Sequence, residues 1–354
     1  MLEILLLASL TLVIALILTP LVIKMSIRIK ATDEPNYRKA HVTPTPTLGG
    51  IAIFLSFLGG LLILQPSSDF HLPVIIGATI IILLGIFDDL YNLSPKAKLV
   101  GQIAAAFIVV SWGGLQIEFI NLPFGGQIGF GFLSSIVTIV WIIAITNAIN
   151  LIDGLDGLAA GVSAIALFTI AGMAVLTGQV YVATMALVLF FSIMGFLRYN
   201  FNPAKIFMGD TGALFLGFMI SVLAILGFKN ITIVSFVIPI FILGVPISDT
   251  IIAIIRRRVN NKPMSSPDSS HLHHRLMQSG FTHKQTVLFI YSLSIMFSVA
   301  AIFFSMTTLW GSIIIMGVTL LAIEVLIENL GLINNDFKPL TNLVKNIRQS
   351  IKSN

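Results

Sequence analysis

IGFGFLSSIVTIVWIIAITNAINLIDGLDGLAAG, residues 128–161, starts as an apolar run and ends in Asn147, Asn150, Asp153 and Asp156 with glycines between them. An uncharged apolar run of roughly 20 residues suits a helix that crosses a bilayer core about 30 Å thick. Carboxylates near lipid are costly and are usually kept because they bind ions, protons or substrate. The pattern recurs twice. GIFDDLYN (85–92) closes an apolar run with Asp88 and Asp89, and IFMGDTGA (206–213) opens one with Asp210. Acids gathered near one surface repel one another, and a divalent cation relieves that repulsion. The sequence therefore points to metal-assisted chemistry on a phosphorylated substrate.

Composition sets the class. The 354 residues are 56% hydrophobic and 10% charged, and the mean hydropathy of +1.01 is too high for a soluble domain. Eleven apolar runs are expected to span the membrane: 2–23, 48–65, 73–90, 99–112, 128–147, 158–176, 180–197, 213–228, 232–255, 287–306 and 308–326. The expected fold is an all-α integral membrane protein, with a polytopic domain over 1–328 and a basic cytoplasmic tail over 329–354. With the N-terminus outside, every one of the 20 Lys and Arg except Lys229 falls on the inner side. That bias is the positive-inside rule. The net charge of +5 and pI near 9.5 suit an anionic inner leaflet better than nucleic acid. The first run lacks a basic leader and is long, so it reads as a retained span rather than a signal peptide. With no cysteine, disulfides, thiolate metal sites and a Cys nucleophile are excluded.

Chemistry-capable side chains collect in the expected inner loops. Neighbours on a helix diverge by about 100°, so Asp88 and Asp89 divide their duties. One approaches a metal while the other acts as a base or fixes a cation. The alternative is an interfacial pair balanced by Lys96 and Lys98. Asn147, Asn150, Asp153 and Asp156 step by three, which would place hard oxygen ligands for Mg2+ along one side of a helical turn. A glycine-rich turn with Asx caps is the competing reading. Asp210 before Thr211 and Gly212 would open a helix whose N-terminus could cradle phosphate. Phe207 would stack on a base or anchor the interface. In HLHHRL (271–276), His271 and His274 would share a helical face while His273 points elsewhere; with Arg275 they would hold phosphate oxygens near a metal centre. Arg38, Lys39 and His41, before PTPTLGG, would bind lipid or nucleotide phosphate or hold the loop at the surface. Asp249 would pair with a basic group as a supporting residue.

Together RKAHVTPTPTLGG, GIFDD, NAINLIDGLDGLAAG, NFNPAKIFMGDTG and PDSSHLHHRLMQSGFTHKQT resemble the polyprenyl-phosphate N-acetylhexosamine-1-phosphate transferase family along essentially the whole chain. Within it, the resemblance is to the branch of bacterial undecaprenyl-phosphate GlcNAc-1-phosphate transferases that initiates wall teichoic acid linkage units. It implies transfer of GlcNAc-1-phosphate from UDP-GlcNAc to undecaprenyl phosphate at the cytoplasmic face of the plasma membrane, releasing UMP. It implies Mg2+, with Mn2+ as a substitute, contacted by Asp210 and Asn150. Asp88 would activate the lipid phosphate and Asp89 would organise the site. Asn150, Asp153, Asp156, Asn200 and Phe207 would recognise the nucleotide or surround it, with Asp153 also near the chemistry. His271, His273, His274 and Arg275 would position phosphate. A homodimer is compatible with the chain.

Two alternatives remain open at this stage. A phospho-MurNAc-pentapeptide transferase would carry a run of three histidines in place of HLHH, and a lysine in place of Val42. A cation-coupled transporter would place its acids near the bilayer midplane beside broken helices, whereas these lie at helix ends.

Overall fold

The structure, a computed structural model, describes residues 2–33, 44–121, 126–228, 237–261, 263, 270–333 and 339–342. Helix α1 (Leu2–Arg28) leads through a short antiparallel ladder, β1 (Thr32–Asp33) against β2 (Thr45–Pro46), into α2 (Gly49–Leu64). Next, α3 (His71–Tyr91) turns sharply into α4 (Pro95–Ser111). The turn is built by Asn92 in the left-handed conformation, and by Ser94, whose hydroxyl caps α4 by accepting from Ala97 N at 3.3 Å. Beyond a second ladder, β3 (Phe119–Asn121) with β4 (Gln127–Gly129), lie α5 (Ser134–Ile152), α6 (Leu158–Leu176), α7 (Val180–Asn200) and α8 (Gly209–Phe228). The chain continues with α9 (Val237–Ile242), α10 (Gly244–Val259), α11 (Leu272–Gln278), α12 (His283–Met306) and α13 (Leu309–Leu330).

Every apolar run carries helix, but the eleven are not equivalent spans. Among the described residues, eight helices are long and apolar enough to cross a membrane. Helices α2 and α4, at 16 and 17 residues, fall short of the roughly 20 residues of a full crossing. The run expected as one span over 232–255 is broken at Leu243 into α9 and α10. The cause is local: Pro246 has no N–H for the Ile242 carbonyl, and its ring crowds that carbonyl.

Helix α8 is the axis of the bundle. It packs on α2, α3, α5 and α6, and all its residues from Thr211 to Phe228 are buried. A helix apolar on all sides belongs in such a centre. At the other extreme, α13 exposes Trp310, Ile314, Val318 and Leu321, as a lipid-facing helix would. Small residues bring the backbones together, as in other membrane bundles. A Cβ on Gly85 of α3 would lie 2.3 Å from Thr211 Cα of α8. That approach sets the end of α3 against the start of α8, where Asp88, Asp89 and Asp210 sit.

Gly85→Val should therefore lower the melting temperature in detergent by several degrees, since overpacking costs about 1–3 kcal/mol. Gly172→Ala on α6, where an added Cβ meets nothing within 4 Å, serves as the control. Equal melting of the two variants would show that α3 and α8 do not meet this closely.

Candidate active site

Asp89 joins two helices. Its Oδ1 accepts from Asp210 N at 2.9 Å, and its Oδ2 accepts from Thr211 N at 3.1 Å and Thr211 Oγ1 at 2.6 Å. These are first-turn donors of α8, which have no partner within the helix. The expectation of a phosphate cradle at this N-terminus is corrected accordingly: a carboxylate of the protein already fills it. Asp88, on another side of α3, is buried. Its Oδ1 accepts from Leu93 N at 2.9 Å, and its Oδ2 pairs with Lys98 Nζ. Lys98 also donates to Asp210 Oδ2 at 2.6 Å, and Asn150 Nδ2 donates to Asp210 Oδ1 at 3.0 Å. The ends of α3, α4, α5 and α8 thus converge on Asp210.

The predicted helical face over residues 147–156 is only partly realised. Helix α5 stops at Ile152, so Asp153 and Asp156 sit in the turn that follows. Asn147 faces away from Asp210, donating to Gln102 Oε1 at 2.7 Å and to Ile143 O at 2.8 Å. Asp156 accepts from Asn202 Nδ2 and Ala204 N, each at 3.0 Å, and so fixes the loop before α8. Within that loop Asn200 Nδ2 donates to Ile206 O at 2.9 Å. Phe207 is held by main-chain bonds to the PTPTLGG segment: its N–H reaches Pro46 O at 2.8 Å, and its carbonyl accepts from Gly49 N at 3.0 Å.

These groups border one cavity of about 730 Å³. Of the predicted residues, Asp88, Asp89, Asp153, Asp156, Asn200, Phe207, Asp210 and His274 line it. Asn150 enters through its bond to Asp210. His271 and His273 are buried behind the wall, and Arg275 lies in the last turn of α11, away from the lining. The expected pairing of His271 with His274 on one helical face fails, because His271 is the N-cap of α11. Arg38, Lys39, His41 and Val42 lie outside the described residues. Sequence reasoning missed Asp33 and His283 on the lining, and gave Lys98 only a balancing role. The signal for Lys98 was the tight Asn-Leu-Ser-Pro turn, which folds α4 back beside α3.

Among the described residues, six carboxylates (Asp33, Asp88, Asp89, Asp153, Asp156 and Asp210) line the cavity with one lysine, Lys98. Burial first, then repulsion from Asp210, Asp89 and Asp156, pushes the Asp153 carboxyl up to about 8. Burial, reinforced by His274, holds the His273 imidazole down to about 3. His273 is therefore neutral at physiological pH and packs as a ring.

Among the described residues, no three His, Cys, Asp or Glu side chains form a ready metal cluster. The donors Asp210 and Asn150 nevertheless suit Mg2+. Both are hard oxygen ligands on adjacent elements, a half-turn of the Asn150 amide would present its oxygen, and this ion takes much of its shell from water and phosphate.

An acid-rich cavity holding the Lys98 ammonium, opening at the ends of apolar helices, is the site of an integral-membrane enzyme for phosphorylated substrates. The sequence pattern of glycosyl transferase family 4 matches residues 71–228. A Bacillus subtilis (strain 168) protein named as a probable undecaprenyl-phosphate N-acetylglucosaminyl 1-phosphate transferase is 47% identical, over 95% of each chain. A decaprenyl-phosphate N-acetylglucosaminephosphotransferase of Mycobacterium tuberculosis (strain H37Rv) is 32% identical, over 75% of this chain and 73% of its own. An undecaprenyl-phosphate alpha-N-acetylglucosaminyl 1-phosphate transferase of Salmonella typhimurium is 28% identical, over 75% of this chain and 74% of its own. The chain belongs to the polyprenyl-phosphate N-acetylglucosaminyl-1-phosphate transferase family.

Asp153 generates a prediction. Burial raises its carboxyl from the usual carboxylate range to about 8 in the fold, so the folded state retains a proton that the unfolded chain loses. Metal-free stability should fall as pH rises from about 4 to about 8, then level off. Asp153→Asn should flatten that slope in melting curves taken at pH 5 and pH 8 in EDTA. An unchanged slope would remove the assignment.

Proposed function

We propose that this chain transfers GlcNAc-1-phosphate from UDP-GlcNAc to undecaprenyl phosphate, giving undecaprenyl-diphosphate-GlcNAc and UMP. The observation that carries the reading is the Asp88–Lys98–Asp210–Asn150 constellation at the helix ends, in a chain so similar to the Bacillus subtilis relative. A site at that depth lets a water-soluble nucleotide-sugar meet an acceptor whose tail stays in lipid. The positive-inside pattern supports placing it at the cytoplasmic face of the bacterial plasma membrane. The resemblance of the motifs supports a role for the product in wall teichoic acid linkage-unit synthesis.

In this mechanism an oxygen of the lipid phosphate attacks the phosphorus that bears the sugar, the bond to the bridging oxygen breaks, and UMP leaves. Asp88 accepts the proton that remains on the lipid phosphate, and Lys98 exchanges its carboxylate contacts for phosphate oxygens. Asp89 keeps Asp210 in place without touching substrate. When bound, Mg2+ or Mn2+ at Asp210 and Asn150 supplies neutralisation of the charge on the diphosphate. His274 and Phe207 border the space left for the donor. A preorganised donor set of this kind acts mainly by stabilising developing charge.

Purified protein incubated with undecaprenyl phosphate and UDP-GlcNAc should release UMP and form the matching lipid product, and chelation should stop both. UDP-MurNAc-pentapeptide should give neither. Product from the pentapeptide donor alone would overturn the donor assignment. Asp88→Asn should lower kcat by about 10²–10⁴-fold, while KM for UDP-GlcNAc stays within a few-fold. A pure rise in donor KM would show that Asp88 binds rather than activates.

A further inference from the structure

One buried polar pair takes no part in the chemistry above. Asp249 stands on α10 just past the break at Leu243 and is 4% exposed. It adjoins a small apolar cavity bordered by Val245, Leu293, Phe297 and Leu326. A carboxylate in such surroundings must be fully hydrogen-bonded to be tolerated. Its Oδ2 lies 2.7 Å from His271 Nδ1, and its Oδ1 accepts from Leu272 N at 2.9 Å. With the carboxylate oxygen as acceptor, this contact selects the His271 tautomer that carries its proton on Nδ1. Both contacts fall on the start of α11. The His271 side chain makes no cap bond of its own, so a residue from another helix caps the segment that carries the histidines.

From His271 the contacts run inward. The rings of His271 and His273 are parallel to within 3°, with centroids 6.0 Å apart, and those of His273 and His274 are 4.1 Å apart. His274 borders the catalytic cavity. On its other side His273 lies against Gly154, where an added Cβ would sit 2.4 Å from His273 Nε2. Gly154 belongs to the turn that holds Asp153 and Asp156. The histidine helix is therefore located at two points, by Asp249 behind it and by the acid-bearing turn in front.

We propose that Asp249 is a positioning residue for donor binding: by capping α11 and fixing the proton of His271 on Nδ1, it presents His274 to the nucleotide-sugar. The inference rests on the UDP-GlcNAc reading, in which the wall bordered by His274 faces the donor rather than the lipid. Asp249 touches no substrate.

The test compares the full-length wild-type protein with Asp249→Asn, His271→Asn and the double variant. Calorimetric Kd for UDP-GlcNAc is measured alongside turnover and melting temperature. Asp249→Asn retains an acceptor oxygen for Leu272 N, so it should stay folded, melting within a few degrees of wild type. It should weaken UDP-GlcNAc binding by about tenfold, as loss of a charge-assisted hydrogen bond does. KM for undecaprenyl phosphate should hold within about twofold. The double variant should bind no worse than His271→Asn, because the two residues act as a unit. Unchanged donor binding in Asp249→Asn, an equal loss for donor and acceptor, or additive effects in the double variant would each overturn the proposal. Binding of UDP-GlcNAc by wild type without any lipid product would overturn the transferase reading instead, and the Kd comparison would still decide the role of Asp249.

Discussion

The start of α8 is the point on which the site depends. A helix buried from Thr211 onward cannot leave its first N–H groups to water. Asp89 meets that demand from α3 with three hydrogen bonds to Asp210 and Thr211. The same bonds fix where Asp210 stands. Because Gly85 lets the two helices approach one turn earlier, the cap and the close contact act together. The two neighbouring aspartates then separate by the helical twist: Asp89 is spent on the fold, and Asp88 is left to face Lys98.

Charge imposes the second constraint. Carboxylates brought together in a medium of low polarity repel strongly, and the structure answers that repulsion differently at each one. Asp210 receives donors on both oxygens, from Lys98 and Asn150. Asp156 is bonded to Asn202 and to a backbone N–H. Among the described residues Asp153 has neither an ammonium nor a backbone cap, and burial makes it keep its proton to a higher pH instead. A cavity organised in this way keeps an excess of carboxylates. Lys98 is the protein's own counter-charge at its centre.

Much of this was legible in the sequence. Apolar runs reveal helices because a chain in lipid has few other ways to satisfy its backbone, and acids at the ends of those runs stood out against that background. Asp88, Asp89, Asp153, Asp156 and Asp210 were all found in this way, and all border one cavity. What stayed hidden depends on facing rather than on type. Asn147 and Asn150 are three residues apart, yet one bonds to Gln102 on α4 and the other to Asp210 on α8. A step of three places both on a similar side of α5; it does not say which neighbour waits there. The break at Leu243 was masked because residues around it remain apolar, although Pro246 carried the signal.

The histidine segment shows the same limit in sharper form. HLHHRL reads as an exposed basic loop, in which every ring is a candidate ligand. In the fold His271 and His273 are almost wholly buried, and only His274 reaches the cavity. The difference comes from Asp249, more than twenty residues earlier, which draws His271 inward and turns the helix behind it. Asp249 can do so because it stands on α10, about one turn past Pro246. A proline kink in one helix thus lies just before the residue that caps the next. The acids are held by long helices that pack along their length, whereas the histidines are held by a seven-residue helix with one borrowed cap. The two walls of the cavity therefore differ in how firmly they are built.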